Sequence, residues 1–194
     1  MQTKIIKPAI VTILTLVFST TYFAETTIHK NEQTGLLTWS AEQDGFKIEL
    51  IQLIPDFVSA VYSKHKFPQK ELDRINTYCL FGTIVESKSD KNLYYQVSDW
   101  HYTDMKGVSL PVKNKKQWIT EWRAQGIKFN WTLLPATSEF APGDWQQGFT
   151  TIKISRDKIF DFTYSWSIEG KTYTNTIKDM SCAPETLELD GKNK

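Results

Sequence analysis

Between residues 160 and 166 the chain alternates aromatic and small polar side chains, with Phe160, Phe162, Tyr164 and Trp166 set against Asp161, Thr163 and Ser165. A period of two places the four aromatics on one face of a strand and leaves the other face wet. Glu169-Gly170 interrupts the pattern before residues 171–177 resume it, and the pair of runs predicts a hairpin leading into Cys182. Similar alternation predicts strands at 46–50 and 128–133, and more weakly at 93–97 and 150–155; residues 36–40 and 80–86 are further candidates.

Three segments have helical spacing instead. Residues 55–63 carry Phe57 and Val61 four apart. Residues 68–78 open with a proline at a plausible first helical position and align Leu72, Ile75 and Cys79. Residues 115–125 have Asn114 as cap, Gln117 three later, Trp118 and Trp122 one turn apart, and Gly126 just past the end. Many short strands with three helices inserted among them predict a mainly β fold, an antiparallel β-sandwich or open barrel with about three short helices packed on it.

Composition adds an address and a brace. Lys4 and Lys7 precede an uncharged, largely apolar stretch that runs from Pro8 to Ala24, the layout of a secretory signal peptide over residues 1–24. An uncleaved anchor is the alternative, and is the one way in which this reading involves a membrane. A polar segment at 25–34 and a tail at 184–194 are expected to be flexible, flanking a single globular domain over 35–183. Cys79 and Cys182 are the only cysteines, and an even count in an exported chain predicts one disulfide. Without residues 1–24 the chain has 21 basic and 22 acidic residues, so net charge does not point to nucleic acid.

Candidate chemistry is sparse. The sequence has no Gly-x-Ser-x-Gly elbow, no His-Glu-x-x-His pair, no phosphate-cradling glycine loop and only three histidines. His29 and His65 read as exposed bystanders. One cluster, 98–105, holds Asp99, His101 and Met105; were it extended, Asp99 and His101 would share a face, and with Met105 they could hold copper. The competing reading is a strand end and turn anchored by a buried Trp100. A second cluster, 140–149, is a loop rich in turn formers that carries Trp145 with Asp144, Gln146 and Gln147. These are the ingredients of a sugar or peptide contact, unless Trp145 folds back as a plug over the sandwich end.

The reading that follows is a periplasmic or otherwise secreted, non-catalytic binding or accessory protein that needs no cofactor. Its partner would be a small molecule, a glycan or a periplasmic protein. The alternatives are a copper carrier using Asp99, His101 and Met105, and a glycan hydrolase using Asp99, Asp104 or Asp144. The hydrolase would require two carboxylates facing each other at roughly 5 to 9.5 Å.

Overall fold

Strict alternation along neighbouring strands builds the two sheets seen in the computed structural model, which describes residues 25–187. The expected leader and residues 188–194 of the expected tail lie outside the described residues. In chain order the strands are β1 (Thr26–Lys30), β2 (Leu37–Gln43), β3 (Phe46–Leu53), β4 (Cys79–Ser87), β5 (Leu93–Gln96), β6 (His101–Asp104), β7 (Ser109–Pro111), β8 (Thr137–Phe140), β9 (Trp145–Ile152), β10 (Ile159–Ile168) and β11 (Lys171–Ser181). The helices are α1 (Pro55–Ser63), α2 (Gln69–Asn76) and α3 (Lys115–Ala124). All pairings between strands are antiparallel, and the two sheets pack as a sandwich with no closed barrel.

The first sheet runs β1-β2-β3-β4-β9. In β3, Phe46, Ile48, Leu50 and Gln52 point into the sandwich while Lys47, Glu49, Ile51 and Leu53 point out. The second sheet is centred on β10. One edge of β10 pairs with β11, and its other edge pairs first with β6 and then with β5. All four β10 aromatics are buried, and Tyr164 and Trp166 meet Phe46 of the facing sheet at 5.6 and 5.1 Å between ring centroids. Burial pushes the Tyr164 phenol up to about 12, against a weaker opposing effect of its hydrogen bond with Asn175. The hairpin closes between Ile168 and Lys171, with Glu169 at φ 50° and Gly170 at φ 78°. Two successive left-handed residues match the twist of the strands they join.

Two features tie the sheets together at one end. The Cys79–Cys182 disulfide joins the first residue of β4 to the residue after β11, across 103 positions of sequence. Beside it the buried Gln52 amide donates to the carbonyls of Ser181 and Cys182, and its oxygen accepts from the Leu37 amide.

The helices cover part of the outer face of the first sheet and build a second core there. Val58, Tyr62, Leu72, Trp118 and Trp122 pack with Leu80, which points out of β4 on the side opposite Cys79 and Phe81. Asn114 and Gln117 form the expected capping box on α3, each side chain accepting from the other's backbone amide. Glu71 of α2 is 1% exposed, yet its carboxylate is fully engaged: the Trp122 indole donates at 2.6 Å and Arg74 donates through Nε and Nη2. Arg74 and Lys113 then share Glu121, each at 2.5 Å. Both cations also lie over the Trp118 ring, at 4.6 and 3.9 Å from its centroid.

Three local expectations change. Residues 128–133 are not a strand: Thr132 at φ 64° breaks the run, and Leu133 makes only a single bridge to Phe149. The segment 25–34, expected to be flexible, contains β1, whose five residues pair in continuous register with β2. The supposed aromatic loop at 140–149 is a short turn at 141–144 followed at once by β9.

Candidate functional site

β9 lies at the edge of the first sheet, and its alternation sorts the residues of the second cluster. Trp145, Gln147 and Phe149 face outward, paired in register with Glu86, Ile84 and Gly82 of β4. Gln146 faces inward, where its oxygen accepts from the Tyr95 hydroxyl at 3.0 Å, so its side chain serves the core. Asp144 closes the β8–β9 turn by accepting from the Ala141 amide at 2.8 Å. Trp145 is 62% exposed and plugs nothing.

The free edge of β9 is met by residues 132–134. Phe149 donates to the Thr132 carbonyl at 2.6 Å and accepts from the Leu134 amide at 3.0 Å. Gly148 permits this approach, since a Cβ there would stand 2.3 Å from the Leu134 nitrogen. At the start of this contact the left-handed Thr132, anchored by its hydroxyl to Tyr62, turns the chain. Phe129 and Leu133 drop into the helical core, whereas Trp131 stands away from the surface, 70% exposed.

The result is a cleft of about 430 Å³ on the part of the outer face that the helices leave open. Its floor is Ile51, Gly82, Ile84 and Phe149, and Trp131 and Gln147 line it as well. Gly82 keeps the floor low: a Cβ would make only ordinary contact with Ile51 at 3.7 Å, so the missing side chain leaves depth and is no steric necessity. Lys115, at the start of α3, also borders the cleft, and burial lowers the pKa of its ammonium. An apolar floor, an exposed indole, one amide and one cation can hold a ligand that has a flat apolar face and polar edges.

The first cluster is arranged differently from its expectation. Residues 97–99 form a 3-10 turn, so the segment is not extended through Asp99 and the premise that Asp99 and His101 share a strand face fails. The Asp99 carboxylate accepts from Gln96 and Ser98. His101 opens β6 between Thr163 and Pro111, and Met105 is exposed in the turn that follows. Asp104 accepts from the amides of Lys106 and Val108 within that same turn. Trp100 is fully buried and donates its indole N–H to the Ser165 carbonyl. Among the described residues no group of three or more His, Cys, Asp or Glu is placed to hold a metal.

Of the four residues expected at a ligand site, Gln147 lines this cleft and Asp144, Trp145 and Gln146 do not; Trp131 was missed, since alternation assigned it to the same face as Phe129 and Leu133. The left-handed Thr132 that separates them has no signature in residue type. Comparison with protein-family models, curated proteins and solved structures finds no match for the chain, so the site is read from its own geometry.

Proposed function

We propose that this is an exported binding protein that takes a glycan, or a small molecule of similar shape, in the cleft on the outer face of the first sheet. The observation that carries this reading is Trp131: a 70% exposed indole above an apolar floor, with the Gln147 amide and the Lys115 ammonium at the border. A pyranose ring offers an apolar face to an indole and hydroxyls to an amide, which is the complement of this lining. Export is supported by the leader pattern and by the disulfide, which persists in oxidising compartments. Among the described residues no helix is long and apolar enough to cross a membrane.

The test is a panel of cell-wall and storage oligosaccharides titrated against tryptophan fluorescence. Trp131→Ala and Gly82→Leu are each expected to lose at least tenfold in affinity without a change in fold, the first by removing the stacking face and the second by raising the floor. Unaltered binding in both variants would place the ligand elsewhere. A panel without any binder would turn the search to a protein partner.

A further inference from the structure

The net charge of −1 for residues 25–194 hides a segregation that the fold makes visible. The two stretches that build the helical layer, 54–78 and 113–130, hold nine Lys and Arg against four Asp and Glu, a net of +5, so the remainder carries −6. Of the four acids in the layer, Asp56 lies in the first turn of α1 and Asp73 is exposed on α2, and the other two meet at one place. Glu71 and Glu121 are held by Arg74 and Lys113 between α2 and α3.

The other end of the layer is cationic and unpaired. The loop after α1 brings Lys64, His65 and Lys66 against the loop after α3, with the His65 ring 4.6 Å and the Phe67 ring 5.2 Å from Phe129. Beside Phe129, Arg123 and Lys128 line a concavity of about 440 Å³ with Gly126 and Asn130. Lys64, Lys66, Arg123 and Lys128 are all exposed, and among the described residues none makes a salt bridge. Exposed aromatic rings lie close by in sequence: Phe57 sits two turns before Lys64 on the open side of α1, and Trp131 follows Asn130.

We infer that this end of the helical layer is a peripheral docking surface for an anionic lipid bilayer. Lysines and arginines free of carboxylates gain from a negative surface potential, and aromatic rings beside them sit well at the headgroup level. The rest of the molecule is net negative, so an anionic surface attracts the helical layer and repels the remainder. Trp131 borders both sites, but none of the four cations lines the cleft described above, so replacing them tests this surface without altering the cleft lining.

The experiment is co-sedimentation of the disulfide-bonded chain, residues 25–194, with phosphatidylglycerol/phosphatidylcholine vesicles and with pure phosphatidylcholine vesicles at low and high salt. Binding is expected to the anionic vesicles alone and to weaken as salt rises. Each neutralised cation is expected to weaken it about fivefold, so replacing Lys64, Lys66, Arg123 and Lys128 by Gln should cost on the order of 10²- to 10³-fold. The control Lys158→Gln/Lys178→Gln removes charges outside the helical layer and should change little. No binding to anionic vesicles, equal binding to both kinds, or an equal loss in the control would each overturn the proposal. Retention on a soluble polyanion without vesicle binding would overturn it too.

Discussion

At the scale of single residues, Glu121 shows how competing effects settle one group. Burial pushes its carboxyl up, but hydrogen bonds from Lys113 and Arg74 outweigh burial and hold it below its ordinary value near 4.5. A carboxyl depressed in the folded state contributes stability that is present above the unfolded value and is lost as pH falls through the folded one. Thermal melts of the wild type and Glu121→Gln should therefore converge by a few degrees between about pH 5 and pH 3, the wild type losing more. Because the carboxylate is 43% exposed, the effect is small, and parallel melting curves would show that the bridge adds nothing. Little of this was legible beforehand. Glu71 and Glu121 are ordinary helix residues in the sequence, and it is the crossing of α2 and α3 that gives one of them a buried indole donor and the other two cations.

At the scale of elements, residue pattern and structure agree wherever a strand or helix has one face buried along its whole length. The β10–β11 hairpin, the spans of the three helices and the capping box on α3 follow from periodicity and end signals, although α1 buries Val58 and Tyr62 instead of the Phe57–Val61 pair whose spacing announced it. Asn114→Ala should destabilise the protein by about 1 kcal/mol through loss of that cap, measurable as a lower urea midpoint at unchanged slope. Agreement fails where long-range partners decide. Residues 128–133 alternate as a strand should, yet Phe129 and Leu133 are claimed by the helical core while Trp131 is left out. The polar 26–30 stretch has too few apolar residues to announce a strand, and becomes one because β2 offers it a free edge. The 3-10 turn at 97–99 lets the chain leave β5 and rejoin β10 as β6, a detour that residue types alone do not encode.

At the scale of the whole molecule, the cysteine count and redox argument predicted a bridge, and the fold shows what it joins. The bond connects an inner strand of one sheet to the end of the outermost strand of the other, at the same corner that Gln52 secures. In the chain-entropy model a closed loop of this length is worth about 4 to 5 kcal/mol, so Cys79→Ser/Cys182→Ser should lower unfolding free energy by most of that amount. A loss below about 1 kcal/mol in urea unfolding would mean that packing and Gln52 hold the corner without the bond. The same bond also divides the chain into unequal mechanical parts. Under tension applied at its two ends, the oxidised protein lengthens only through the residues before Cys79 and after Cys182, because the intervening stretch lies behind a covalent short circuit. At 3.3–3.6 Å per extended residue, that shields roughly 350 Å of contour from force. β4 to β11 lie inside the shielded stretch, whereas β1 to β3 with α1 and α2 can be peeled away. The open cleft straddles this boundary, with Ile51 on the yielding side and Gly82, Ile84, Trp131 and Gln147 on the protected one. Pulling on the oxidised chain would thus strip away one part of the floor while leaving the rest of the lining behind the bond.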